Sequence, residues 1–166
     1  MTKSIKNVIE IAGKTTKKYV GLPSTKRIKM ANTAEVVYKG ELRCEAKHPQ
    51  SGATIITDAP TDNLGRGEAF SPTDLLATSL ATCALTTIGI VAKRDGLTLD
   101  ITGARTEVVK VMASQPRRVS EIHMNVIFNK NYTEEEKKLI ERTFESCPVA
   151  RSLHPDIKQV VNYKYL

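Results

Sequence analysis

The chain has no tryptophan and only three phenylalanines and five tyrosines in 166 residues. With so few aromatics interleaved among its cations, and with no nucleic-acid-binding motif, its net charge of +7 does not read as a nucleic-acid interface. No uninterrupted apolar run reaches the length of about 18 residues that a membrane span needs, so no spanning helix is expected. The opening residues Met1-Thr2-Lys3-Ser4-Ile5-Lys6 are too polar for a signal peptide, and a cytoplasmic protein is expected. Cysteine is scarce and odd in number, at three, which argues against a structural disulfide framework. The histidines His48, His123 and His154 have no ligand spacing to one another or to the cysteines, so no metal is expected. Gly65-Arg66-Gly67 is not a phosphate or dinucleotide fingerprint, and no Gly-x-Ser-x-Gly elbow occurs. No cofactor is expected.

The positive charge is unevenly placed. Residues 1–30 hold eight basic groups and one acid, Glu10, which accounts for the whole excess; the rest of the chain balances at 17 basic and 17 acidic residues. Basicity therefore belongs to an N-terminal extension over residues 1–30, read as a solvated arm without a specific nucleic-acid or membrane partner. Residues 31–166 form one domain, for which a chain 40% hydrophobic supplies enough core.

Within that domain the clearest signal is a helix over 72–94. Ser71 suits the N-cap, Pro72 the first helical position and Asp74 the third position of a capping box, while Asp95-Gly96 suits the end. Leu75, Leu76, Leu80, Ala84, Leu85, Ile88 and Val91 spread round a wide face, which predicts a helix mostly buried in the fold or at a subunit interface. Before it, residues 34–46 and 53–58 contain β-like runs separated by the turn-forming His48-Pro49-Gln50-Ser51-Gly52. After it, residues 98–112 read as a strand. Ser114-Gln115-Pro116-Arg117 reads as a turn, and Ile122, Met124, Val126 and Phe128 alternate with more polar residues in a second, antiparallel strand. Thr133-Glu134-Glu135-Glu136 opens another capped helix that breaks at Cys147-Pro148, a short helix runs to about Leu153, and residues 157–165 end as a strand.

Two cysteines stand in settings that packing alone does not call for. Pro148 at the first position of its helix makes Cys147 the N-cap, where orphan amides and the helix dipole favour a thiolate. Cys83 lies on the apolar helix among Thr82, Thr86 and Thr87, a setting typical of a core thiol unless a cation is brought to it; Arg43 is the candidate cation. Cys44 is read as structural, because it and Arg43 face opposite sides of one strand. On these residues alone Cys147 would be the stronger nucleophile.

Phe70-Ser71-Pro72-Thr73-Asp74-Leu75-Leu76, with Ser79-Leu80-Ala81-Thr82-Cys83, resembles the central-helix motif of the OsmC/Ohr family of osmotically inducible and organic hydroperoxide resistance proteins. Ser146-Cys147-Pro148-Val149-Ala150-Arg151-Ser152-Leu153 resembles that family's second cysteine motif, in the same order and 64 residues on. The likeness spans roughly residues 34–165. It implies an α+β fold with antiparallel sheets around a long buried central helix, and an intertwined homodimer with active sites at the interface. It also implies a thiol-dependent peroxidase in which Cys83 reacts with an organic hydroperoxide, Cys147 resolves the product, Arg43 assists and an external dithiol reduces the disulfide. In this respect the resemblance overrides the ranking of the two thiols given by the residues. The characterised members carry a glutamate ten residues before the first cysteine; here that residue is Thr73, and Asp74 beside it, the nearest acid, is the candidate catalytic residue in its place, with the capping box as its other role. The alternative is a non-catalytic redox-sensing or apolar-ligand-binding dimer.

Overall fold

The computed structural model describes residues 31–166. The basic arm over residues 1–30 lies outside the described residues. Three short strands come first: β1 Glu35–Gly40, β2 Arg43–Lys47 and β3 Thr54–Asp58, paired antiparallel in that order. The region expected as one β-like run over 34–46 is thus a hairpin. Its turn falls at Glu41 and Leu42, which adopt left-handed φ of 49° and 63° and follow Gly40 at 89°. Neither residue type announces such a turn. The His48–Gly52 turn does form, with the His48 amide donating to the Ala53 carbonyl at 2.8 Å.

A 3-10 turn at Thr61–Asn63 leads to the long helix α1, Pro72–Arg94. The capping box is complete. The Ser71 hydroxyl accepts from the Asp74 amide at 3.1 Å, and the Asp74 carboxylate accepts from the Ser71 amide at 2.8 Å and from its hydroxyl at 2.7 Å. The helix buries one stripe, Ala77, Leu80, Ala81, Ala84, Ile88 and Ala92, while Leu76 and Ile90 remain 36% and 56% exposed. It is less enclosed in the single chain than its composition suggested. By length and composition it is also apolar enough to cross a bilayer, although threonine and serine interrupt its apolar runs. Its buried stripe is instead spent on the core of this domain.

The second sheet is β4 Arg105–Ser114, β5 Arg117–Phe128 and β6 Lys158–Tyr165. β5 buries Ile122, Met124, Val126 and Phe128, as its alternation predicts, and pairs antiparallel with β4. Two expectations change here. β4 begins at Arg105 rather than near Thr98, because residues 98–104 are held in a loop. In that loop the Asp100 side chain accepts from the Thr102 amide, Tyr132 donates its hydroxyl to the Asp100 carbonyl and Asn129 donates to the Thr102 carbonyl. And β6 runs parallel to β5, so this sheet is mixed rather than antiparallel. Two helices, α2 Glu134–Glu145 and α3 Pro148–Ser152, make the crossover between β5 and β6. The core lies between the inner face of this sheet and α1, with Ile140 and Phe144 of α2 closing one side.

Candidate functional site: a thiol pair between two helices

α1 and α3 meet with a cysteine on each. Cys83 is partly exposed on the flank of the buried α1 stripe; Cys147 is fully buried. Cys147 is the N-cap of α3, with extended backbone at φ −63° and ψ 153°, and its sulfur accepts from the Ala150 amide at 3.4 Å. Pro148 occupies the first helical position, as expected. The electrostatic expectation for Cys147 does not hold. Burial pushes its thiol up and outweighs the amide of Ala150, and the neighbouring Cys83 raises it further. A water-excluded sulfur gains less from one cap amide than it loses in hydration. The Cys83 sulfur is close enough to influence the ionisation of Cys147, which places a partly exposed thiol against a buried, protonated one.

The other two candidate residues sit elsewhere in the described structure. The Arg43 guanidinium is committed to two acids. Its Nε meets Asp58 Oδ1 at 2.6 Å, and its Nη2 meets Asp58 Oδ2 at 2.8 Å and Glu68 Oε2 at 2.6 Å. The Arg43 hydrogen bonds hold the Asp58 carboxyl below its ordinary range, and Asp58 also accepts from the Glu68 amide at 3.1 Å. Sequence reading missed this clamp, although the register contains it: with the turn at 48–52 pairing Lys47 to Thr54, Arg43 falls opposite Asp58.

Asp74 is spent on the capping box and on Lys110, whose Nζ lies 2.8 Å from Asp74 Oδ1. Burial acts to raise the Asp74 pKa, but hydrogen bonds from Lys110 and Ser71 outweigh it and hold the carboxyl below its usual range. Lys110 also donates to Thr73 Oγ1 at 2.9 Å and Ser71 Oγ at 3.2 Å. It is the one charge in the inward row Thr106, Val108, Lys110, Met112 of β4, a signal that could have flagged it. Asp74 precedes Cys83 by nine residues, about two and a half helical turns, so the two side chains leave opposite sides of α1. The structure thus brings Cys83 and Cys147 together and leaves Arg43 and Asp74 engaged with partners of their own. Cys44 lines a cleft of about 350 Å³ with Tyr38, Thr57, Pro72 and Met112, apart from the thiol pair. Among the described residues no group of three or more His, Cys, Asp or Glu side chains is arranged to hold a metal.

An α+β domain whose long helix presents one thiol to a second thiol at the start of a short helix defines a dithiol protein. The family model described as OsmC-like protein matches residues 65–161, and the chain belongs to that family. A solved structure from Psychrobacter arcticus, provisionally named an osmotic stress induced and detoxification response protein, is 52% identical; it covers 83% of this chain and 99% of its own, with a TM-score of 0.77. An OsmC-like protein from Mycoplasma pneumoniae shares the fold at 20% identity and a TM-score of 0.67, covering 84% of this chain and 99% of its own. An organic hydroperoxide resistance protein OsmC from Legionella pneumophila does so at 17% and 0.63, covering 82% and 99%. No curated protein matches the chain.

Proposed function

We propose that this protein is a thiol-dependent peroxidase acting on organic hydroperoxides through Cys83 and Cys147. The observation that carries the reading is the meeting of the partly exposed Cys83 with the buried Cys147, whose thiol burial pushes up. The accessible sulfur can reach a peroxide; the shielded, protonated one is suited to wait as resolving group. The Cys83 thiolate attacks the distal oxygen of ROOH, the O–O bond breaks, and ROH leaves with one proton taken up, giving a sulfenic acid at Cys83. The Cys147 thiol then displaces the sulfenic oxygen as water and forms the Cys83–Cys147 disulfide. An external dithiol reduces it by two exchange steps and is itself oxidised to a disulfide. No metal, flavin or nucleotide enters this cycle. The apolar surroundings of Cys83, including Leu80, favour an organic over an inorganic peroxide.

The working form in this reading is a cytoplasmic homodimer. Leu76 and Ile90 on α1, Val36, Val37 and Tyr38 on β1, and Ile55 and Ile56 on β3 are exposed in the single chain, and a second copy would cover them. Arg43 would assist Cys83 only after release from Asp58 and Glu68, and Asp74 has no direct part. Those two engagements favour one competing reading, a redox-sensing or apolar-ligand-binding dimer without turnover. Peroxide consumption with a dithiol reductant separates the two. Sustained loss of cumene hydroperoxide, abolished by Cys83→Ser, is expected; a disulfide that forms once without turnover would select the sensor.

A further inference from the structure

Resting on Cys83 as the reactive thiol, we propose that Thr87 is the side chain that stabilises its ionised form, so that the helix itself supplies the hydrogen bond Arg43 and Asp74 do not. Thr87 lies four residues after Cys83, one turn along the same face, and its side chain leans back over the turn that carries the sulfur. Its Oγ1 donates to the Cys83 carbonyl at 2.7 Å and lies 4.0 Å from Cys83 Sγ. Among the described residues the Cys147 thiol also faces that sulfur, and no other side-chain oxygen or nitrogen lies within hydrogen-bond reach of it. Two other hydroxyls of α1 are turned elsewhere: Ser79 donates to the Leu76 carbonyl, and Thr82 to those of Thr78 and Ser79. The candidate cation Arg43 is committed to Asp58 and Glu68, and Lys110, at the start of α1, to Asp74, Ser71 and Thr73.

A threonine hydroxyl has one hydrogen and two lone pairs. While Cys83 is a thiol, that hydrogen serves the Cys83 carbonyl and the oxygen can accept the S–H. When Cys83 loses its proton to solvent on its exposed side, rotation of the hydroxyl redirects the hydrogen to the thiolate. The carbonyl keeps its regular helical bond from the amide of residue 87, so nothing buried is left unpaired. A charge-assisted bond is gained for a neutral one that was surplus, and the ionised state is favoured.

The test is the pH dependence of Cys83 alkylation by iodoacetamide in the reduced full-length protein, read at the Cys83 peptide by mass spectrometry. Thr87→Val removes the hydrogen at nearly constant shape. It should move the alkylation midpoint up by about one pH unit and slow alkylation about tenfold below that midpoint, the effect expected for loss of one hydrogen bond to a charged group. Thr87→Ser keeps the hydroxyl and should return the midpoint to the wild-type position. A Thr87→Val midpoint that is unmoved or lowered overturns the inference, as does a Thr87→Ser midpoint displaced as far as that of Thr87→Val. The alkylation midpoint needs no peroxide, so failure of the peroxidase reading would appear in turnover and failure of this inference in the midpoint.

Discussion

Replacing Cys147 separates its structural work from its chemical work. The sulfur is fully buried and caps α3 by accepting from the Ala150 amide at 3.4 Å. Serine at this position keeps an N-cap acceptor, and a better one, so Cys147→Ser should fold with stability within about 1 kcal/mol of wild type by urea unfolding. Cys147→Ala loses the cap and should cost about 1–2 kcal/mol. The chemical consequence should be the same in both. With one equivalent of cumene hydroperoxide and no reductant, the wild-type chain should fall from three free thiols to one, Cys44, as the Cys83–Cys147 disulfide forms. Each Cys147 variant should instead hold a sulfenic acid at Cys83, trapped by dimedone, and convert to sulfinic acid under excess peroxide. Peptide mass spectrometry reads each state. If wild type keeps Cys83 and Cys147 reduced while Cys44 is modified, or if Cys147→Ser resists over-oxidation as well as wild type, the resolving role is refuted.

Other consequences can be checked alongside. Asp74→Asn should cost about 1 kcal/mol by thermal unfolding, since it weakens a capping box and removes the anion that Lys110 faces at a helix N-terminus. Because the folded Asp74 pKa lies below its unfolded value near 3.8, the wild-type advantage should be present above about pH 4 and disappear as pH falls through the folded value. Sedimentation at micromolar concentration should show a dimer that the double substitution Leu76→Asp, Ile90→Asp shifts towards monomer; a wild-type monomer would count against a shared interface on α1. A chain starting at Met30 should form the same Cys83–Cys147 disulfide at the same rate, and a slower or absent disulfide would show that the basic arm contributes to the chemistry.

The elements legible in the sequence are those whose signals are local. The alternation Ile122, Met124, Val126, Phe128 is a face of β5 because side-chain direction alternates strictly along a strand. The boxes Ser71/Asp74 and Thr133/Glu136 mark helix starts because their bonds close within four residues. What was not legible depends on partners distant in the chain. Residues 98–104 carry β-prone side chains, yet Asn129 and Tyr132 hold their carbonyls out of the ladder. The parallel register of β6 follows from the crossover through α2 and α3. The thiol of Cys147 is decided by burial under the rest of the core, which a motif at a helix N-terminus does not reveal.

The acid beside the central-helix motif shows how a shift of one residue changes the chemistry open to a chain. A carboxylate ten residues before Cys83 would lie about 80° from it around the helix; one nine residues before lies about 180° away. Thr73 occupies the nearer phase and Asp74 the farther. From the farther phase Asp74 closes the cap with Ser71 and meets Lys110 on β4, a bond set that fixes the start of α1 against the second sheet. The acid is therefore present for the helix and absent for the sulfur. In the single chain the side-chain oxygen nearest the sulfur is that of Thr87, in its own phase, while Arg43 is held by Asp58 and Glu68.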